Sequence, residues 1–180
     1  MKRFKKPTDS RVVISELMLP SHSNFSGKIH GGYILSLMDQ IAFACASKHS
    51  EAYCVTASVD KVDFMKPIEV GELVTLKASV NHVGRTSMVV GVRVEAENIQ
   101  TGTVKHCNSS YFTMVAKDDK GQSVPVPGLI LPNKTSVRRF VRSIIRKQHS
   151  EVRNSQFDAS KFNIEDHMEK LKEHNVKVEL

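Results

Sequence analysis

Between Tyr33 and Ala46 the only strongly polar residues are Ser36, Asp39 and Gln40. Their i, i+3, i+4 spacing places them on one narrow stripe of a helix. A helix that is apolar on every other side has to be enclosed, so the rest of the chain must supply a surface that wraps it. The segment opens at Gly31-Gly32, and the spacing predicts a helix over residues 31–48.

Strand patterns surround it. Residues 11–19 are β-branched and apolar and stop at Pro20. Residues 53–65 read as a second strand. In residues 72–83, Val74, Leu76, Ala78 and Val80 alternate with Thr75, Lys77, Ser79 and Asn81. Residues 86–99 carry Met88, Val90, Val92, Val94 and Ala96 on one face, and residues 103–116 make a further strand. Breaks fall at Pro67 to Gly71, at Gly84-Arg85 and at Gly102, where turn chemistry is strongest. Short turns imply antiparallel neighbours. The expected fold class is therefore α+β, a long central helix wrapped by an antiparallel β-sheet.

A carboxylate inside such a helix is costly unless paired, protonated or used. Asp39 thus has two readings from the residues alone, an ion pair of the core or an acid–base group. Gly31-Gly32 is either a tight turn or a helix start whose free N–H groups and positive dipole end face a polar group.

Past residue 116 the character changes. Residues 124–132 hold Pro125, Pro127, Gly128 and Pro132 and read as an extended linker. Ser136 is positioned to cap a helix with Val137, Phe140, Val141, Ile144 and Ile145 on one face and Arg138, Arg139, Arg142 and Arg146 opposite. A second helix is expected over residues 164–174. We divide the chain into a domain of residues 1–128 and a linker with a basic helical extension, residues 129–180. The net charge of +7 is unevenly spread: residues 134–153 hold seven basic residues and one acid, Glu151, and the rest of the chain is close to neutral. The apolar stripe of the extension is expected to dock on the main domain or on another subunit, leaving the arginines solvated. With no Trp and few aromatics, base stacking has little support and no nucleic-acid partner is expected. The basic start, residues 1–7, leads into no apolar stretch of signal-peptide type, and no membrane insertion is expected. Cys45, Cys54 and Cys107 have no metal-ligand spacing. They read as buried free thiols of a cytoplasmic protein.

The segments Asn24 to Asp39, Val55-Thr-Ala-Ser-Val-Asp60, Asp63-Phe-Met-Lys-Pro67, Val70-Gly-Glu72 and Gly84-Arg-Thr-Ser-Met88 come in an order that resembles the hot-dog-fold acyl-CoA thioesterases. The likeness covers about residues 10–128 and is strongest to the cytosolic acyl-CoA hydrolases and their single-domain bacterial relatives. It implies a hot-dog fold, a homodimer with sheets joined edge to edge, and further assembly as a trimer of dimers. It also implies an active site at the dimer interface, where Asn24 and Asp39 act from different subunits. The amides of Gly31 and Gly32 would face the thioester carbonyl, and Arg85, Thr86 and Ser87 would approach the nucleotide end of coenzyme A. His30 stands where many bacterial members have Phe, as in the larger cytosolic hydrolases. The chain has one hot-dog unit, not a tandem pair, so both halves of a site would come from identical chains.

The implied substrate is acyl-CoA, with coenzyme A as part of substrate and product and no metal or other cofactor. Asp39 would serve as general base, or attack directly as a nucleophile. His22 and His30 flank the loop and are weaker candidates for a base. Cys45 and Cys54 are poor candidates for a nucleophile. The competing function is a non-catalytic acyl-CoA-binding regulatory hot-dog domain. A hot-dog dehydratase is disfavoured, because the loop before the helix lacks the Pro-Gly turn expected there.

Overall fold

Period-two alternation in three consecutive long segments requires a sheet with one apolar face, and the computed structural model shows how that face is covered. It describes residues 3–155, 162–171 and 174–179 and falls into two units, Met1–Ser143 and Ile144–Leu180. The elements of the first unit are β1 (Phe4–Lys5), β2 (Val12–Leu17), α1 (Gly31–Ser50), β3 (Tyr53–Val59), β4 (Glu72–Val83), β5 (Ser87–Asn98), β6 (Thr103–Lys117) and β7 (Gly128–Leu129). Short 3-10 turns at Pro7–Asp9 and Pro20–His22 link the early elements. Helix α2 (Lys134–Ser155) starts in this unit, and α3 (Met168–Leu171) lies in the second, after a 3-10 turn at Glu165–His167.

The main sheet has the order β2-β4-β5-β6-β3 with every neighbouring pair antiparallel. Its inner face presents Val74, Leu76, Val80, Met88, Val90, Val94, Phe112 and Met114, all fully buried. Helix α1 packs against all five strands. Its inward side chains Ile34, Leu37, Met38 and Ile41 are each 5% exposed or less. Burying such a side chain contributes roughly 1.5–3 kcal/mol. That outweighs propensity in a helix that begins with two glycines, since most helical stability in a protein comes from packing of its apolar face.

Enclosure of α1 is only half realised within one chain. The opposite face, with Leu35, Ser36, Asp39, Gln40, Phe43 and Ala44, is exposed. The expectation of a buried carboxylate is corrected accordingly: a five-stranded sheet curls around one side of a helix and leaves the other open. The polar stripe is flanked there by exposed Leu35 and Phe43, one turn on either side of Asp39.

Other expectations are revised. The strand expected over residues 53–65 ends at Val59: its pairing with β6 shifts between Thr56 and Ser58 and then continues for two residues. A bulge of this kind bends the strand. Beyond Val59 the chain is tied to β6 by separate bonds, Asp60 N–H to Tyr111 O, Met65 N–H to Cys107 O, and Ser110 Oγ to the carbonyls of Asp60 and Lys61. The segment read as a linker contributes β7, which pairs in parallel with β1. Helix α2 starts two residues before Ser136. Asn133 is its cap, with Oδ1 accepting from Ser136 N–H at 3.0 Å. Of the expected apolar stripe only Phe140 is half-buried, its ring 4.6 Å from that of His82, while Val137, Val141, Ile144 and Ile145 stay exposed. The expected helix over residues 164–174 is reduced to the 3-10 turn and α3 among the described residues.

The end of α1 is locked from several sides. Glu51 adopts a left-handed conformation (φ 60°) and its N–H bonds Ser47 O. Lys5 Nζ donates to the carbonyls of Lys48 and His49, as a cation at a helix C-terminus should. His49 is fully buried, with Nδ1 3.3 Å from Ser10 Oγ and Nε2 3.0 Å from Pro127 O. Only the neutral ring with Nε2–H donating to Pro127 and Nδ1 accepting from Ser10 satisfies all three groups. Burial lowers its pKa from 6.5. The unfolded chain therefore binds a proton more readily than the folded one. Stability carried by His49 is complete above the unfolded value and falls as the pH drops below about 6.5. In denaturant titrations between pH 7 and pH 5, the wild type should lose stability more steeply than His49→Gln. Equal slopes would show that His49 does not titrate in this range.

Candidate active site

The loop ahead of α1 is built by one side chain. Asn24 Oδ1 accepts from Ser26 N–H (2.9 Å), Ser26 Oγ (2.7 Å) and Lys28 N–H (3.2 Å). Asn24 N–H bonds Lys28 O at 2.7 Å, and Gly27, at φ +77°, turns the chain between them. The oxygen is saturated, and the half-buried Asn24 keeps Nδ2 without an acceptor among the described residues. Ion pairing of Lys28 with Glu69 at 2.7 Å and the bond from Ile29 N–H to Ile68 O hold the loop against the chain before β4.

At the start of α1, His30 is the cap: its Nδ1 accepts from Gly32 N–H at 3.0 Å. A side chain at either glycine would collide. A Cβ on Gly32 would lie 3.0 Å from the His30 ring, and one on Gly31 would lie 3.3 Å from Phe64. The amide of Gly32 is thus committed to the cap, whereas Gly31 N–H has no acceptor among the described residues. His22 is also occupied. Nδ1 accepts from Leu19 N–H, and the ring stacks on Tyr33 with centroids 4.0 Å apart. Tyr33 in turn donates to Glu16, a bond that raises its pKa. Both histidines flanking the loop are therefore used as architecture.

Asp39 is held from β3. Thr56 Oγ1 donates to Asp39 Oδ1 at 2.6 Å, leaving Oδ2 as the open acceptor on the exposed face. Thr56 was missed as a site residue by sequence reading. It lies in a quoted motif, but its role depends on which strand faces α1 and on the bulge that follows it. Arg85, Thr86 and Ser87 form the turn between β4 and β5 and are fixed through their backbones, with Val126 N–H on Arg85 O and Ala116 N–H on Thr86 O. Ser87 pairs with Val115, which pairs with Val55. Two interstrand steps of about 4.8 Å bring this turn to about 10 Å from the strand that carries Thr56.

Other distances separate the candidates. Asp39 lies eight residues into α1 from Gly31, about 12 Å along the axis. One helix therefore cannot direct its own acid at a group held by its own first amide. Cys45 and Cys54 are buried. Burial pushes the Cys45 thiol up to about 12, which removes the thiolate needed for attack.

Replacing the cap tests the structural role of His30. His30→Ala should lower stability by about 0.5–2 kcal/mol and His30→Asn should restore most of it, since Asn is a good cap. Urea denaturation measures this. An alanine variant as stable as wild type would remove the capping role.

Comparison with known proteins places this geometry. The model described as "Thioesterase superfamily" matches residues 26–103. YkhA of Bacillus subtilis, named as an uncharacterized acyl-CoA thioester hydrolase, is 37% identical over 83% of this chain and 90% of its own length. The apo structure of a hexameric acyl-CoA thioesterase is 37% identical, with a TM-score of 0.82 over 84% of this chain and 97% of that one. A Staphylococcus aureus acyl-CoA hydrolase in complex with butyryl coenzyme A, coenzyme A and coenzyme A disulfide gives a TM-score of 0.79 at 28% identity, over 94% and 99%. Similar structures also include variants of the Staphylococcus hydrolase in which an aspartate, an asparagine or a threonine is replaced by alanine.

Proposed function

Because the chain belongs to the thioesterase superfamily, we propose that it hydrolyses acyl-CoA to a free carboxylic acid and coenzyme A. The observation that carries this reading is the carboxylate of Asp39, fixed by Thr56 on the exposed face of α1 with one oxygen open. The asparagine, aspartate and threonine substituted in the Staphylococcus hydrolase are spaced along that chain as Asn24, Asp39 and Thr56 are spaced here.

In the proposed reaction Asp39 Oδ2 takes a proton from water as the water oxygen attacks the thioester carbonyl. The carbonyl oxygen becomes an oxyanion facing Gly31 N–H at the positive end of α1. One such donor contributes about 2.7–4 kcal/mol of barrier lowering. Gly32, occupied by its cap, supports the turn. Asn24 Nδ2 donates to the water or to the thioester. Collapse of the intermediate breaks the C–S bond, and the thiolate takes up the proton to leave as coenzyme A. Direct attack by Asp39 to give an anhydride uses the same groups and is second choice. Arg85, exposed and without an ion-pair partner among the described residues, is assigned with Thr86 and Ser87 to the phosphates of coenzyme A.

A site shared between two copies of the chain follows from the 12 Å gap between Gly31 and Asp39 along one helix. Leu35 and Phe43, exposed on either side of Asp39, and the open edge of β3 give a second copy an apolar face and a strand to pair with. A hexamer built from three such dimers accords with the hexameric state of the similar acyl-CoA thioesterase. A cytoplasmic location accords with three buried, unpaired cysteines. No helix among the described residues is long and apolar enough to cross a membrane.

Asp39→Asn should lower kcat with acyl-CoA by about a hundredfold or more while the oligomer persists in size-exclusion chromatography. Near-normal turnover would exclude Asp39 as the base. Asn24→Ala and Asp39→Asn, each weakly active alone, should regain part of the activity when coexpressed, because a mixed dimer holds one intact site. With subunit exchange demonstrated by differential tagging, no regain would place both residues of a site in one chain.

A further inference from the structure

A second polar recess lies on the outer side of the sheet, away from the α1 face that carries Asp39. It is a cleft of about 200 Å³ between the Pro7–Asp9 turn, β4 and the start of α2. Four independent features of its walls have the same sign. Arg11 and Arg139 both line it, and neither guanidinium has a carboxylate partner among the described residues. The first turn of α2 lines it as well, through Asn133, Thr135 and Ser136. The Asn133 cap satisfies Ser136 N–H, and the amides of Lys134 and Thr135 have no acceptor among the described residues. That turn contains no acidic residue, the opposite of what a helix N-terminus prefers.

The fourth feature is in the floor. Asn81 of β4 lines the cleft, is 7% exposed, and its side-chain amide makes no hydrogen bond among the described residues. A buried amide left unpaired is costly, and a ligand acceptor on Nδ2 would relieve that cost. Asp9, the acid of the adjoining turn, does not neutralise the recess. Its oxygens accept from Lys6 N–H and from Thr8 Oγ1.

Two arginines, open helix N-terminal amides and a buried side-chain amide donor are the recognition elements of a phosphate group. We propose that this cleft binds the phosphate group of a small molecule, outside the machinery assigned to thioester cleavage. Its volume accommodates a phosphate with a small substituent. The chemistry has two sources, a separate phosphorylated metabolite or a phosphate of coenzyme A itself.

Inorganic phosphate is the first probe. In thermal denaturation of the full chain, it should raise Tm beyond sodium chloride of equal ionic strength. In Arg11→Gln/Arg139→Gln the dissociation constant for phosphate should rise about tenfold or more, with Asn81→Ala giving a smaller loss. Tm without phosphate and the oligomeric state report whether each variant is intact. Michaelis constants for an acyl-CoA and for the matching acyl-pantetheine, which lacks the nucleotide, distinguish the sources. A rise for acyl-CoA alone assigns the cleft to the substrate's own phosphate. Unchanged constants together with lost phosphate protection assign it to a separate ligand. Phosphate that protects no better than chloride, or protects the double variant as well as wild type, overturns the proposal. Protection by phosphate does not depend on Asp39, so it tests the cleft apart from the hydrolase reading, on which only the Michaelis constants rest.

Discussion

One helix with two apolar faces and a sheet that can cover only one of them is the constraint on which the molecule turns. Ile34, Met38, Ile41 and Cys45 vanish into the concave side of β2, β4, β5, β6 and β3. Leu35, Asp39 and Phe43 are left outside by the same geometry. The low amphipathicity of α1 is therefore no failure of patterning. It marks a helix with two apolar faces to cover. Because the core face is close-packed against the strands, the other face is presented rigidly, and a carboxylate mounted on it inherits that rigidity.

The ends of α1 show how capping and reactivity are divided. Four amides at a helix start lack internal partners. Here one is taken by the His30 ring, while Tyr33 N–H turns back to His30 O, so Gly31 N–H is the group left facing outward. The close approach of Phe64 to Gly31 and of His30 to Gly32 means that a side chain at either position would have to displace a neighbouring ring. At the far end Lys5, Glu51 and His49 satisfy carbonyls and bind the helix to segments distant in sequence. Glu51 has a lowered pKa, first through the hydrogen bond from Lys5 and then through the charges of Lys5 and Arg3.

Long, regular elements were legible in the amino-acid sequence, and short or shared ones were not. The alternation in β4 and β5 identified inward residues correctly because each strand has one buried and one freer face. Asp39 and the glycines stood out because a polar loop runs directly into an apolar segment, whereas Asn24 was singled out only by the family resemblance. Thr56 did not, because a threonine in a strand is ordinary until its cross-layer neighbour is known. Two-residue strands such as β1 and β7 fall below any periodicity. The cap of α2 was misplaced because Asn133 and Ser136 are both good caps and bond each other reciprocally. The burial of α1 was overread, since apolar character reports the need for cover without saying which body provides it.

The pairing of Phe4 with Gly128 carries a consequence for the order of folding. Closing a loop that long costs chain entropy before any contact rewards it, and β1 and β7 offer only two residues of ladder in return. The strap can therefore close only once the sheet and α1 have already drawn both segments together. Lys5, seated on the last carbonyls of α1, arrives with it. The opening segment of the chain is thus the last part of this unit to dock and the first to open. The amides of Gly128 and Ile130, which bond Arg3 O and Lys5 O, should exchange with solvent by local opening, well ahead of the β4–β5–β6 amides that require global unfolding.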